Sequence, residues 1–193
     1  GKRGGIVALE PSTGEILAMI SGPTYDPSLL VGRERSKNYS ALHYDSIAKP
    51  LFDRSILAEG SPGSPFKTLN ALVALQEGVI SPSTTVQSYN GFYVGLKKRG
   101  CHCGGGLRKL NDGIYKSCNA YFAGVFRKIF DKYNTTDKGM NVWEKHMKSF
   151  GLGDYLGTDL PTGAPGRIPD VDYYDKWYGN GRWAASTIIS NSI

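Results

Sequence analysis

Ser64 and Lys67 place a hydroxyl and an amine three residues apart, in the segment Ser64-Pro65-Phe66-Lys67. Residues at positions i and i+3 lie on one face of a helix, so the lysine amine can reach back to the serine hydroxyl. Serine alone is a poor nucleophile near neutral pH, but a lysine that loses its proton through burial can act as an adjacent base. The pair therefore indicates acyl transfer. Because Ser-x-x-Lys is a short pattern, a capped core helix whose lysine extends to solvent remains an alternative.

Ser117-Cys118-Asn119 forms a second motif, 53 residues after Ser64 (117 − 64 = 53). It is similar to the Ser-x-Asn element that accompanies Ser-x-x-Lys in penicillin-interacting enzymes. A second hydroxyl near the lysine can relay a proton to a leaving amine, and an asparagine amide can bind both a substrate carbonyl and the lysine. Considered alone, Ser117 and Asn119 fit better as caps of the helix that follows. The two motifs together favour the catalytic interpretation.

Three local elements have to position these motifs. Ser64 suits an N-cap, Pro65 suits the first helical position and Gly78 follows the apolar stretch, which together predict a buried helix over about 64–77. Apolar residues at helical spacing predict a second helix from Asn119 to Lys132. Two apolar segments, 6–9 and 16–20, flank a Pro/Ser/Gly turn and predict a hairpin over about 5–21.

Further segments of the chain extend these motifs into a family resemblance. The chain resembles the transpeptidase domain of class B penicillin-binding proteins, in particular the elongation-type penicillin-binding protein 2, over nearly all of its length. Besides the two motifs, the segments that carry the resemblance are Gly4 to Met19, Pro23-Thr24-Tyr25-Asp26-Pro27, Phe52-Asp53-Arg54-Ser55, Ser61-Pro62-Gly63-Ser64, Asp159-Leu160-Pro161 and Gly166-Arg167-Ile168-Pro169. Together these segments are highly specific.

The resemblance implies an α+β fold of the penicillin-binding protein and serine β-lactamase type, in which helices lie on the faces of an antiparallel sheet. Residues 1–193 would form a single, partial transpeptidase domain with its Ser-x-Asn region over about 110–131. The family's third element, Lys-Thr-Gly or a close variant on a later strand, does not occur in this sequence. We therefore expect a C-terminally truncated domain that lacks its later strands, leaves one sheet edge without partners and is inactive or impaired by itself.

The activity implied by the resemblance is D,D-transpeptidation, the cross-linking of peptidoglycan stem peptides through an acyl-enzyme. By position, Ser64 would be the nucleophile, Lys67 the base, Ser117 the proton relay and Asn119 a substrate-binding residue. β-Lactam antibiotics would acylate the same serine, and a membrane glycosyltransferase and cell-shape proteins are the further partners implied. The domain would lie in the periplasm, held to the inner membrane by an anchor outside this chain.

Two functions of other classes remain open at this point. The first is a penicillin-recognising sensor, which is acylated but does not turn over peptide. The second is a non-catalytic cell-wall scaffold, which keeps the fold and predicts a blocked or misoriented Ser64. The complete set of serine, lysine, serine and asparagine favours the enzyme.

The composition fits a globular domain and excludes some partners. Apolar residues make up 40% of the chain, and no apolar run approaches the ~18 residues of a membrane span. The net charge is +6, and five basic residues cluster around a Gly-rich turn: Lys97, Lys98, Arg99, Arg108 and Lys109. Because no nucleic-acid motif accompanies this cluster, we predict a solvated basic face and no nucleic-acid partner.

Three cysteines give an odd count. Cys101 and Cys103 are too close in sequence for an easy disulfide, and Cys118 lies inside the Ser-x-Asn motif. Cys101, His102, Cys103 and Asp112 offer candidate zinc ligands, but the paired spacing of zinc knuckles is absent. We predict no metal and no cofactor, with zinc at these residues as the alternative.

Overall fold

The computed structural model describes residues 2–94, 97–160, 162–179 and Thr187. The chain divides into two compact units. Unit 1 comprises residues 1–60 and 155–166, and unit 2 comprises residues 61–154 and 167–193. Both predicted motifs belong to unit 2.

Unit 1 is built around the predicted hairpin. Its elements are β1 (Gly4–Leu9), β2 (Ile16–Gly22), a 3-10 helix (Pro27–Leu30), α1 (Arg35–His43) and α2 (Arg54–Leu57). Strands β1 and β2 pair antiparallel, with Ile6 opposite Ile20. The turn closes through a hydrogen bond from the Glu10 N–H to the Glu15 carbonyl, 2.9 Å long. A side chain at Gly5 would come within 2.7 Å of the Arg54 carbonyl oxygen, so glycine is required where α2 approaches the hairpin.

Polar contacts hold the remainder of unit 1 together. The Arg54 guanidinium donates to the carbonyl oxygens of Ala48, Lys49 and Phe52, the closest at 2.7 Å. The Asp53 carboxylate caps α2 by accepting from the Ser55 N–H. The described part of unit 1 has no large apolar core. These hydrogen bonds stabilise it by pairing backbone carbonyl and N–H groups that would otherwise lack partners.

Unit 2 contains the apolar core. Its elements are α3 (Phe66–Gln76), β3 (Val86–Val94), β4 (Lys97–Arg108), α4 (Leu110–Tyr115), α5 (Asn119–Asp131), α6 (Thr136–Ser149) and α7 (Val171–Tyr178). Helix α5 is the central element, because Phe122, Val125 and Phe126 are completely buried. Trp143 of α6 packs edge-on against Phe126, with ring centroids 5.6 Å apart. The sequence pattern thus predicts both α3 and α5, each within two residues of its observed ends.

The β3–β4 hairpin was not predicted from the sequence. Its register pairs Val86 with Arg108 and Val94 with Lys97, and it shifts between Tyr89 and Gly91. Strand β3 lies directly on α5, where a side chain at Gly124 would come within 2.5 Å of Val86 Cγ1. Glycines within β4 weaken the alternation that identifies a strand, so the pattern alone did not indicate one here.

The described strands form two separate antiparallel sheets of two strands each. Together with the helices they confirm the α+β class. Within the described part of the chain, β1 and β2 pair only with each other. Among the described residues, no helix is both long enough and apolar enough to cross a membrane.

Candidate active site

Ser64 lies just before helix α3 and is exposed to solvent. The prediction that Ser64 caps this helix is wrong: Pro65 occupies the N-cap position, and no side chain caps the helix. The first turn is closed instead by backbone bonds, including one from the Lys67 N–H to the Ser64 carbonyl, 3.1 Å long. The Ser64 hydroxyl is thereby left to contact the Lys67 amine, at 3.1 Å.

Lys67 gathers the four predicted site residues into one cluster. Besides the Ser64 hydroxyl, its Nζ contacts the Ser117 hydroxyl at 3.0 Å and the Ser117 carbonyl oxygen at 2.9 Å. The fourth contact, to Asn119 Oδ1, is 2.5 Å long. Residues 50 and 52 positions away in sequence therefore converge on one amine.

The chemistry of these four contacts depends on which partners can donate a proton. The Ser117 carbonyl and Asn119 Oδ1 only accept hydrogen bonds, whereas the two hydroxyls can donate or accept. A neutral amine has two N–H donors and one lone pair. It can therefore donate to both obligate acceptors and still take a proton from the Ser64 hydroxyl.

The surroundings of Lys67 favour that neutral form. Lys67 is 3% exposed. Burial lowers the pKa of the Lys67 ammonium from its usual value, and the neighbouring Cys101 acts in the opposite direction. In the described part of the chain no carboxylate forms a salt bridge with Lys67. An amine with a lowered pKa is the better general base near neutral pH.

Ser117 has an unusual backbone conformation between α4 and α5. Its φ angle is +46°, in the left-handed region that side chains other than glycine seldom adopt. The Ser117 N–H bonds to the Ile114 carbonyl and the Cys118 N–H bonds to the Gly113 carbonyl, at 3.0 and 2.8 Å. Backbone strain of this kind is concentrated at functional sites.

The capping alternative for the second motif does not fit this geometry. The N-cap of α5 is Cys118, and it makes no side-chain capping bond. The side chains of Ser117 and Asn119 instead point to the Lys67 amine.

Two polar contacts anchor helix α3 behind the site. Asn70, one turn after Lys67 and completely buried, accepts a 2.9 Å hydrogen bond from the Trp143 indole. At the other end of the helix, Glu77 binds His146 through one carboxylate oxygen and Lys132 through the other, each at 2.7 Å. None of these three hydrogen bonds was predicted from sequence, since each joins residues more than fifty positions apart.

A group of three sulfur atoms lies beside the second motif. A disulfide joins Cys103 to Cys118, with Cα atoms 5.3 Å apart, and Cys101 is a free thiol whose Sγ lies 3.0 Å from that of Cys103. The three Sγ atoms lie within 4.8 Å of one another. The Cys103–Cys118 disulfide was not predicted, because nothing in the local sequence indicates that cysteines 15 residues apart will pair.

The same sulfur atoms are the candidate metal ligands among the described residues. The predicted alternative combined Cys101 and Cys103 with His102 and Asp112, but the structure groups them with Cys118 instead. His102 lies with Nε2 2.7 Å from the Lys116 carbonyl. Metal binding needs thiolates, so Cys103 and Cys118 could serve as ligands only after their disulfide is reduced.

The fold and the serine–lysine cluster define a class of protein that comparisons with known proteins also identify. The family model for the penicillin binding protein transpeptidase domain matches residues 4–190. The chain therefore belongs to the family of penicillin-binding protein transpeptidase domains. It is 33% identical to the peptidoglycan D,D-transpeptidase MrdA of Acinetobacter baumannii, over all of this chain and 28% of that protein.

Solved structures agree with this assignment. Penicillin-binding protein 2 of Pseudomonas aeruginosa, solved in complex with WCK 5153, matches with a TM-score of 0.82 and 32% identity over all of this chain and 42% of that one. Penicillin-binding protein 2 of Helicobacter pylori, solved with MreC, matches with a TM-score of 0.81 and 26% identity, over 99% of this chain and 34% of that one. The penicillin G acyl-enzyme of penicillin-binding protein A from Mycobacterium tuberculosis matches with a TM-score of 0.74 and 28% identity, over 97% of this chain and 41% of that one. The chain thus spans less than half the length of each.

Proposed function

We propose that this chain belongs to a peptidoglycan D,D-transpeptidase, in which Ser64 is the nucleophile and Lys67 its general base. The observation that carries the proposal is the convergence of Ser64, Ser117 and Asn119 on the Lys67 amine. A capped core helix with a solvated lysine would not produce this cluster. The name of the A. baumannii relative supports the reaction class.

Acylation would begin at the Ser64 hydroxyl. Its Oγ attacks the carbonyl carbon of the penultimate D-alanine, and its proton passes to the neutral Lys67 amine 3.1 Å away. The attacking oxygen forms the new ester bond, and the peptide C–N bond breaks. The proton reaches the leaving amine through the Ser117 hydroxyl, which lies 3.0 Å from the same Lys67 nitrogen. Terminal D-alanine departs and an acyl-enzyme remains.

Deacylation would follow the same path in reverse. The amine of a neighbouring stem peptide attacks the ester carbonyl and forms the new amide bond while the ester C–O bond breaks. The proton of the amine passes through the Lys67–Ser117 pair to the departing Ser64 oxygen, which restores the hydroxyl. Asn119 accepts from Lys67 through Oδ1, which leaves its amide NH₂ to donate to a substrate carbonyl. A β-lactam would enter at the first step, and its opened ring would stay attached to Ser64.

The site and the likeness to larger relatives also suggest the setting of the reaction. We infer that the domain works in the periplasm as part of a protein anchored in the inner membrane. Peptidoglycan stem peptides are the proposed substrates, and a membrane glycosyltransferase and cell-shape proteins the proposed partners. The penicillin-binding protein 2 of H. pylori, which was solved with MreC, supports the proposed cell-shape partners. We further propose that these 193 residues are acylated more slowly than a longer chain that includes a Lys-Thr-Gly strand.

Intact-mass spectrometry after incubation with a β-lactam tests the nucleophile. We expect one adduct, located by peptide mapping at Ser64, absent from Ser64→Ala and present in the control Ser61→Ala. The same measurement on a longer chain that includes the third motif tests the predicted difference in rate. An adduct at another residue, or none in either chain, would overturn the Ser64 assignment and favour the scaffold.

Turnover of a stem peptide separates the enzyme from the sensor. We expect the longer chain to release D-alanine from a pentapeptide stem and to transfer the acyl group to an added amine. Acylation by the β-lactam without any release of D-alanine would instead favour the sensor.

A further inference from the structure

A large open groove lies in unit 2 on the side of α5 that faces β3. Its volume is about 940 Å³. Strand β3 forms one wall, helix α5 the other, and the segment 133–136 closes one end. Its lining includes Ala120, which follows Asn119 in the sequence.

The floor of the groove is apolar. Phe92, Ala123 and Phe130 line it and are each less than 9% exposed. Gly124 lets β3 approach α5 closely, because any side chain there would meet Val86. The groove is therefore a preformed part of the core packing.

Two exposed tyrosines form the β3 rim. Tyr89 is 60% exposed and Tyr93 57%, and their ring centroids lie 6.4 Å apart in an edge-to-face arrangement. Large aromatic rings left in water beside an apolar floor offer faces on which flat apolar surfaces can stack. The C–H faces of sugar rings are such surfaces.

The opposite wall supplies polar groups without net charge. Arg127 and Asp131 pair with each other, Nε to Oδ2 at 3.3 Å, with both side chains more than 60% exposed. Asn134 and Thr135 add an exposed amide and a hydroxyl, and Gln87 adds a second exposed amide from β3. Donors and acceptors of this kind suit hydroxyl and N-acetyl groups, whereas a nucleic acid or an acidic peptide would need unpaired cations.

We propose that the groove between β3 and α5 binds a linear, neutral chain of N-acetylated sugar rings, the glycan part of the proposed substrate. The proposal rests on the proposed function, because it assigns to this groove the glycan that carries the stem peptide of the proposed reaction. Helix α5 extends ~16 Å from Ala120 to Asp131 at about 1.5 Å per residue, room for several linked rings.

Binding of a β-1,4-linked tetramer of N-acetylglucosamine to the 193-residue chain tests this groove. Saturation-transfer NMR would detect the contact, and a titration would give the affinity. We expect Tyr93→Ala and Tyr89→Ala each to weaken binding roughly two- to tenfold. Tyr93→Phe keeps the ring and should bind as the unaltered chain does. Tyr115→Ala removes a tyrosine that is 86% exposed and does not line the groove, so it is the matched control.

The outcomes separate this proposal from the proposed function. Loss of sugar binding in the two groove variants, with β-lactam acylation of Ser64 within twofold of the unaltered chain, would support both. Sugar binding that depends on Tyr89 and Tyr93, with no β-lactam adduct in either the 193-residue chain or the longer chain, would keep the groove and contradict the transpeptidase. No detectable binding, or equal losses in Tyr115→Ala and Tyr93→Ala, would overturn the groove proposal whatever the acylation result.

Discussion

Unit 1 and unit 2 differ in how far their apolar side chains are buried. The members of the hydrophobic core cluster all lie in unit 2. In the described part of unit 1 only Pro50 is buried. Yet the hairpin of unit 1 is rich in aliphatic residues: Ile6 is 64% exposed, Leu17 65% and Ile20 56%. A strong strand pattern therefore does not by itself produce burial, which requires a second layer.

The difference follows from what each hairpin packs against. Strand β3 lies on α5, with Val86 against Gly124, so its apolar face is covered. Within the described residues β1 and β2 pair only with each other. An isolated two-stranded hairpin is marginally stable in water, so unit 1 depends more on its turn and on the hydrogen bonds of Arg54. Four predictions test this contrast.

Replacing Lys67, the proposed general base, should give the largest loss of function of the four changes, and the loss should be confined to unit 2. Lys67→Met removes the proposed proton acceptor of Ser64 and should slow acylation by a β-lactam by roughly 10²- to 10⁴-fold. Lys37→Met, an exposed lysine of α1, is the control and should leave the rate unchanged. Stopped-flow measurement of acylation compares the two. A loss of less than tenfold in Lys67→Met would mean that another group takes the proton.

Truncating a side chain of the core should show where the apolar stabilisation lies. Trp143→Ala creates a cavity against Phe126 and removes the bond to Asn70, and should cost about 3–5 kcal/mol in free energy of unfolding. Leu17→Ala, in the exposed hairpin, should cost less than about 0.5 kcal/mol. Urea denaturation monitored by circular dichroism measures both. Equal losses would show that Leu17 is buried in solution and that the contrast between the units is false.

Breaking the disulfide should destabilise unit 2 by a smaller amount. Cys103→Ser opens a loop of 15 residues, and loop-closure entropy predicts a loss of about 3 kcal/mol. The free thiol provides the control, since Cys101→Ser breaks no covalent bond. Urea denaturation with and without a reductant gives both numbers. A chain that is equally stable in both conditions would argue that the bond does not form in solution.

Acid should weaken the contact at the end of α3. Hydrogen bonds from Lys132, Tyr133 and His146 lower the pKa of Glu77 from 4.5 to about 2. Because the folded-state pKa lies below the unfolded one, the contribution of Glu77 to stability is complete above about pH 4.5 and is lost as the pH falls toward 2.

The matched variant Glu77→Gln isolates this effect. It should remove the part of the pH dependence that lies between those two values, and should destabilise the chain at pH 7. Thermal unfolding of both chains between pH 2 and 7 measures the difference. Parallel curves over that range would show that Glu77 titrates alike in the folded and unfolded chains.

Some elements of this protein could be predicted from local sequence and others could not. The spacing of Phe122, Val125 and Phe126 predicts α5, and Gly78, with φ at +67°, follows the end of α3 as predicted. The β3–β4 hairpin was not predicted, because its glycines interrupt the alternation of apolar and polar side chains that identifies a strand. The Ser64 cap was predicted wrongly, because a suitable N-cap residue next to a proline does not reveal that its hydroxyl is used elsewhere.

The sequence by itself determined that Ser64 and Lys67 could meet, since a separation of three residues at a helix start places them together through local geometry alone. It also identified the family through the order and spacing of its motifs. Tertiary structure decided the rest of the site: Ser117 and Asn119 reach Lys67 only because α4 and α5 pack beside α3. It likewise decided which hairpin packs on α5, which cysteines pair and where the groove opens. These depend on contacts between residues distant in sequence, whose energies no local pattern records.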